Sequence, residues 1–406
     1  MVLGKGKAHT FDFDLIVVGA GPVGCEVGRL VARKGFKVAI FEEHADIGRP
    51  IQCGGLVSGK VLGMTGYKDV VNSLRGADIY SPSGTMISFM APDARAYVLD
   101  RERFDKYMAA KAGEAGCKVV TGTKVSGVSE LEDGLEVRTE AGDGSGTSGT
   151  YRCRIIVGAD GVQGCVAKWL KLARPAEIVS GYEVMYDGLS IDPEKALVVS
   201  GKTFAPGFFG WAIPHGPTRA LVGLGVCEAP RPAKDYFEEM VVRPPMRDLL
   251  KGGSRKEAFA GCIPLGITGR TYTDRAMVVG DAAAQVKSLS GGGLYTGLMA
   301  AKHCGRVAVK ALESGDCTKR ILKEYQELWE HSIGHELKNG SMLRKFYINL
   351  SDEQIDQLVE IINGKDLLPL ITAYGDIDSP SILAKVMLKR APSLLKFTGP
   401  LLRALF

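Results

Sequence analysis

The sequence has no apolar run long enough to cross a bilayer as a helix, so a helical membrane span is not expected. Its nine cysteines form no CxxC pair and no grouping with histidine, which argues against a zinc site or a disulfide framework and for reduced thiols. Charge of one sign is scarce as well: a net +5 over 406 residues leaves no footprint for nucleic acid. The opening residues, MVLGKGKAHT, lack an apolar core, so no secretory signal and a cytoplasmic location are expected. Internal repeats are not evident, and the one low-complexity piece, AGDGSGTSGT at 141–150, reads as a flexible connection between strands. The remaining composition, 45% hydrophobic and 24% charged, is that of a globular chain with room for two sizeable domains or one elaborated domain.

The informative stretch is Phe13 to Glu43. An apolar run, Leu15 to Val18, stops at Gly19-Ala20-Gly21-Pro22-Val23-Gly24; a helical segment follows, then a second strand, Val38 to Phe41, ending in Glu42. Strand, glycine turn, helix, strand and acid together point to dinucleotide binding. Gly19 permits the tight turn, Gly21 lets backbone approach a pyrophosphate, and Gly24 lets the helix pack on the sheet while its N-terminus faces the negative charge. Glu42 stands where a carboxylate accepts hydrogen bonds from ribose hydroxyls.

Beyond it, Gly48 and Pro50 frame an irregular loop that contains Cys53-Gly54-Gly55. Flanking glycines let backbone run close to a flat ligand and leave the Cys53 sulfur uncovered; a small buried hydrophobe is the plainer reading. Asp78 to Leu99 alternates around Ser81-Pro82-Ser83-Gly84 as a hairpin does. A helix follows, with Arg101 and Arg103 at its start; one of them reaches a cofactor or both are solvated. Lys118–Val128 and Leu135–Thr139 read as a small meander. Arg154 to Gly161 is a buried strand ending in Asp160-Gly161, a second turn with an acid at its tip, suited to ribose and phosphate contacts.

From Ile178 to Val226 aromatic and β-branched residues dominate, in GYEVMYDG, ALVVSGKTF, GFFGWAIP and RALVGLGVC, which predicts an antiparallel sheet. Phe204, Phe208, Phe209 and Trp211 are either its core or the lining of an apolar tunnel. The spacing predicts a helix over Asp235–Leu250. A third apolar strand, Arg275 to Val279, ends in Gly280-Asp281, and Gly291-Gly292-Gly293 opens a long helix whose N–H groups suit an anion or an electron-rich ring edge. The part after Lys319 is helical. Its end carries Lys385, Lys389, Arg390, Lys396 and Arg403 among leucines, with no acid after Asp378. An interfacial segment on an anionic membrane and a docked helix with a solvated basic face are the two readings.

The GxGxxG turn with Glu42, the VGADG turn and the VVGDAAA turn, in this order over nearly three quarters of the chain, resemble FAD-dependent reductases and hydroxylases of the p-hydroxybenzoate hydroxylase type. Within that group the chain looks most like archaeal geranylgeranyl reductases, the digeranylgeranylglycerophospholipid reductases. RPIQCGGLVSG resembles their cysteine-glycine loop beside the flavin, GFFGWAIPHG their YxWxFP motif, and SLSGGGLYTGLMAA their flavin-side helix. Phe209 stands where tyrosine is usual, Ile213 where phenylalanine is, His215 where lysine is common, and Lys168 where arginine is usual. The missing tyrosine hydroxyl removes any hydrogen bond made from that position.

The resemblance implies an α/β fold. A Rossmann-like FAD-binding domain would be built from 1–76, 100–175 and 273–318, an antiparallel-sheet substrate domain from the 77–99 hairpin and 176–272, and a C-terminal helical region from 319–406. It implies FAD held by Gly19, Gly21, Pro22, Gly24, Glu42, Glu43, Gly54, Arg101, Val125, Asp160, Gly161, Gly280, Asp281, Gly292, Gly293 and Leu294. Substrate would lie on Phe209, Trp211, Pro214 and His215, with Cys53 near the position of proton delivery. The implied reaction is reduction of isolated alkenes in geranylgeranyl ether lipids, with ferredoxin or NAD(P)H as electron donor and a peripheral membrane contact. A flavin hydroxylase with a polar aromatic substrate and a non-enzymatic prenyl carrier of the Rab escort type are the alternatives.

Overall fold

The computed structural model describes residues 11–143, 146–172, 174–266, 269–364 and 367–397. An eight-stranded sheet carries Phe13–Val18 between Gly149–Gly158 and Val38–Phe41, parallel to both. Ala276–Val278 extends it in parallel beyond Gly149–Gly158, and Lys118–Val120 beyond Val38–Phe41. The meander Thr123–Glu130, Leu135–Ala141 and Gly149–Gly158 branches off antiparallel. The inner strands are near-continuous apolar runs because helices cover one face and the meander the other. Helices Pro22–Ala32 and Leu294–Ser314 bury Val27, Val31, Leu298 and Val307 with Leu15, Val17 and Met277. Of the connection 141–150, residues 144–145 lie outside the described residues.

A seven-stranded sheet runs in the order Ser254–Leu265, Glu177–Asp187, Arg219–Val226, Gly210–Pro214, Lys195–Val199, Gly76–Tyr80, Met86–Met90. It is antiparallel except where Lys195–Val199 lies parallel to Gly76–Tyr80. One face is closed by helix Ala233–Val241, through Tyr236, Phe237 and Met240 against Val184, Val222 and Leu224. Phe204 belongs to this core, so it is not a tunnel residue. The opposite face looks toward the glycine turns.

Two elements depart from expectation. Of the stretch read as a hairpin, Gly76–Tyr80 and Met86–Met90 join the large sheet, but Ala96–Leu99 leaves to pair with Val70–Leu74 and Leu56–Val57 in a three-stranded sheet. Pro92, which has no N–H to offer a ladder, lies in the departing segment. The helix expected over 235–250 is split into Ala233–Val241 and Met246–Leu249, because Pro244 and Pro245 cannot continue a helical hydrogen-bond ladder.

The C-terminal part is helical over Lys319–Trp329, His335–Asn349, Asp352–Gly364, Leu368–Tyr374 and Pro380–Arg390. No described helix is long and apolar enough to cross a membrane. Residues 398–406, Arg403 among them, lie outside the described residues.

Candidate active site

The strand Phe13–Val18 feeds the glycine turn, and the next helix begins with Pro22 at its first position, where a missing N–H costs nothing. A Cβ on Gly24 would come 2.2 Å from the Gly19 carbonyl oxygen and 3.1 Å from the Ala159 Cβ, so only glycine lets this helix close on the turn. Around Gly21 no atom would lie within 4 Å of such a Cβ, which leaves the backbone there open to a ligand. Glu42 sits at the mouth. Its Oε2 accepts from the Ala20 N–H at 2.8 Å, and its Oε1 accepts from the His44 N–H at 3.1 Å and lies 2.7 Å from His44 Nδ1. Glu43 does not join it, being spent on Lys124 at 3.3 Å on the surface.

Two expected cofactor contacts are used otherwise. The Asp160 carboxylate caps its own turn through Oδ2, which accepts from the Val166 N–H at 2.9 Å, while its buried Oδ1 has no partner among the described residues. Burial raises its pKa, and that backbone hydrogen bond opposes the rise. The side chain of Val125, 6% exposed, packs in the core with Phe41 and Val137, leaving only its backbone for a ligand. Gly161 remains open, with nothing within 4 Å of where a Cβ would stand.

Asp281 lies in the turn Gly280–Ala283, and a Cβ on Gly293 would meet its Oδ1 at 2.9 Å. The carboxylate is thereby set at the start of the helix that Leu294 begins. Burial raises its pKa, and Arg101 opposes that. Arg101 itself is turned inward, paired with Asp105 at 3.1 Å, whereas Arg103 pairs with Asp69 at 3.3 Å on an exposed surface. Burial works against the Arg101 charge, but Asp105 and the neighbouring Cys53 thiol outweigh it and raise its pKa. Cys53 is thus a half-buried free thiol beside a fixed cation.

The large sheet contributes a row across three strands. Glu183 is paired in register with Gly223, and Gly223 with Trp211. Registered residues share a face, and the glycine between them has no side chain, so the two outer side chains meet over it. Trp211 Nε1 donates to Glu183 Oε1 at 3.0 Å. A Cβ on Gly223 would come 2.6 Å from Glu183 Cγ and 2.9 Å from Trp211 Nε1. Glu183 is 8% exposed. Burial lifts its carboxyl to about 7, against the opposing pull of the Trp211 hydrogen bond and of Arg101. The cysteine-glycine loop rests on this row: a Cβ on Gly54 would lie 3.0 Å from Ile213 Cδ1 and 3.1 Å from Glu183 Oε1.

Beside the row, Phe208 and Phe209 stack at 4.3 Å, and Phe209 meets Trp211 edge-on at 5.7 Å. Phe208 is buried with Val179 and Leu265, while Phe209 and Trp211 stay half-buried. Pro214 closes the strand, its carbonyl accepting from Asn72 Nδ2 at 2.9 Å. His215 follows with a buried Nε2 that has no hydrogen-bond partner among the described residues. Burial, helped by Arg219 and opposed by Asp100, lowers its pKa to about 4, so it is neutral at ordinary pH.

Sequence reasoning missed three further residues. Glu183 was visible only as the one charge in GYEVMY. Lys287 and Asp378 form a buried pair at 2.7 Å, with 8% and 1% of their side chains exposed. A Cβ on Gly292 would lie 3.1 Å from Lys287 Nζ, and Ile377 packs on the apolar cluster that holds Ile213, so the C-terminal region reaches the site in two places. No local pattern announces a pair so far apart in the chain.

A family model described as an FAD binding domain matches residues 12–187. A digeranylgeranylglycerophospholipid reductase of Methanothermobacter thermautotrophicus is 34% identical over 96% of this chain and all of that relative. A second, from Methanocaldococcus jannaschii, is 32% identical over 96% of this chain and 98% of its own length. The chain belongs to the digeranylgeranylglycerophospholipid reductase family. A crystal structure of a geranylgeranyl bacteriochlorophyll reductase-like protein from Thermoplasma acidophilum superposes with a TM-score of 0.84, at 24% identity, over 96% of this chain and 99% of that one, which shows the shared fold. FAD is the cofactor of this family reductase. The open backbone at Gly21, the helix N-terminus and Glu42 fit its adenosine and pyrophosphate. An open cavity of about 420 Å³ between His44–Ile51 and the strand residues Glu257–Ala260 continues from that end.

Proposed function

We propose that the protein reduces the isolated C=C bonds of geranylgeranyl chains in archaeal ether lipid precursors, giving saturated phytanyl chains. The observation that carries this reading is the largely apolar sheet face beside the cysteine-glycine loop: Phe209 and Trp211 are half-buried there, and Ile213 and Leu221 lie against Gly54. FAD, held by Gly19, Gly21, Gly24, Glu42, Asp281 and the Gly292–Leu294 helix start, supplies when bound and reduced a hydride for one alkene carbon. The residues do the rest. Phe209, Trp211 and Ile213 hold the chain by apolar contact and keep water away from it. Arg101 fixes a positive charge beside Asp281 and Cys53. Pro214 and neutral His215 shape the strand end.

The electrons come from ferredoxin or NAD(P)H. The single dinucleotide fingerprint is taken by FAD, which favours the protein donor. Tyr374 and Ile382 are exposed large hydrophobics, and exposed Lys389 and Arg390 follow in sequence, which supports contact of this region with an anionic bilayer.

The test is one anaerobic experiment with purified holoprotein and an unsaturated geranylgeranyl ether lipid, followed by mass spectrometry. Dithionite, reduced ferredoxin and NADPH are supplied in parallel, and the lipid is offered in detergent and in anionic vesicles. Gains of about 2 Da per double bond with flavin reoxidation support the reading. Unchanged lipid, with NADPH-dependent oxygen consumption once air is admitted, replaces it with a hydroxylase. Equal turnover from vesicles and detergent, with no protein sedimenting with the vesicles, removes the membrane contact.

A further inference from the structure

We infer that Glu183 is the acid that protonates the alkene. The inference rests on the reductase reading above and names the proton donor that reading needs. An isolated alkene has no carbonyl to polarise it, so hydride at one carbon requires a proton at the other from a group kept protonated within the apolar site.

Three observations converge on Glu183. It stands on the sheet face that carries Trp211 and Ile213, and it touches the cysteine-glycine loop, with Oε1 3.1 Å from where a Gly54 Cβ would be. Among the described residues its oxygens accept one hydrogen bond, from Trp211 Nε1 at 3.0 Å, and no cation forms a salt bridge with it. Burial raises its carboxyl to about 7, so a large share carries a proton near neutrality. The charged group that acts on it is Arg101, which is paired with Asp105 on the helix that follows the loop. The flanking strands present Gly223, Trp211 and Phe259, which do not titrate. Arg101 is already committed to Asp105, and the Asp160 and Glu42 carboxylates are held by backbone N–H groups. Glu183 is left free for proton transfer.

The step balances. The Glu183 O–H bond breaks and the alkene π pair forms a C–H bond at one carbon. The other carbon would take the hydride that bound, reduced FAD supplies, so the alkene would be reduced and the flavin oxidised. The carboxylate then regains a proton from solvent.

Glu183→Gln keeps shape and the Trp211 hydrogen bond but has no acidic proton. Wild type and variant are loaded with FAD, reduced with dithionite anaerobically and mixed with the geranylgeranyl lipid at a series of pH values. Wild-type reoxidation should slow as pH rises through about 7. The variant should bind FAD normally, reoxidise ~10²-fold more slowly or worse, and lose the pH dependence. A second readout needs no turnover. A carboxyl raised from ~4.3 in the unfolded chain stabilises the fold fully below that value and loses this contribution as pH rises through about 7. The melting temperature of the variant minus that of wild type should therefore climb between those pH values and level off above. A variant within ~3-fold of wild type, or one that keeps the wild-type pH profile, overturns the inference while leaving the reductase intact. A melting difference that does not change with pH also overturns it. Wild type that leaves the lipid unchanged overturns the reductase reading and this inference with it.

Discussion

Gly24, in the helix after the first glycine turn, and Gly223, on a strand of the seven-stranded sheet, do opposite things with the same missing side chain. At Gly24 the absence brings backbone against backbone, 2.2 Å from where a Cβ would meet the Gly19 oxygen, and leaves a helix N-terminus aimed at the cofactor. At Gly223 it brings two side chains together, Glu183 and Trp211, that would otherwise be separate columns of a sheet. The first glycine builds a binding surface from main chain. The second builds a chemical pair from neighbours on either side. The parallel sheet thus holds its acids, Glu42 and Asp160, through backbone N–H donors, while the antiparallel sheet holds Glu183 through one indole.

That difference can be pressed from both sides. Gly24→Val should have the largest effect: no rotamer avoids the Gly19 oxygen, the turn opens, and the purified protein should be colourless with no flavin absorbance. A yellow, fully loaded variant would refute the account of the turn. Gly223→Ala should leave the flavin in place but push Glu183 and Trp211 apart, lowering lipid turnover by ~10²-fold at unchanged FAD content, as read by absorbance and mass spectrometry together. Loss of FAD in that variant would show that the two glycines are not independent. Trp211→Phe is the mildest change. It removes the donor that favours the Glu183 carboxylate, so the pH at which turnover declines should move upward by roughly half a unit to one unit, as a hydrogen bond of about 1 kcal/mol implies. A downward shift of the pH–rate profile would contradict the geometry.

The same contrast explains what was legible beforehand. The FAD turn is contiguous: Gly19, Gly21, Gly24 and Glu42 follow one another along a strand, a helix and a strand, so spacing alone carries their meaning. Asp160 and Asp281 were equally easy to find, but their roles diverge for a reason no spacing contains. One side chain folds back onto Val166 N–H, and the other stays at the start of the flavin-side helix. Phe204 and Trp211 come from one aromatic stretch, but Phe204 lies in the turn between two strands and packs into the core, while Trp211 lies on the following strand beside the site. The Glu183–Gly223–Trp211 row needs the registers of three strands before it exists at all. The departure of Ala96–Leu99 from the hairpin, and the reach of Asp378 into the site, likewise depend on which distant segment is free to pair.

Lys287 and Asp378 give the C-terminal region a part in the site that its basic composition does not suggest. An ammonium group this well buried beside Gly292 is tolerable only while its carboxylate is present, since a stranded buried charge costs several kcal/mol. Ile377, on the residue between the two acids at 376 and 378, also seals the apolar cluster around Ile213. Residues 376–378 are therefore a stopper on the site. A molecule shortened ahead of Asp376 would admit solvent and dioxygen to its reduced cofactor and spend electrons on air that were meant for lipid.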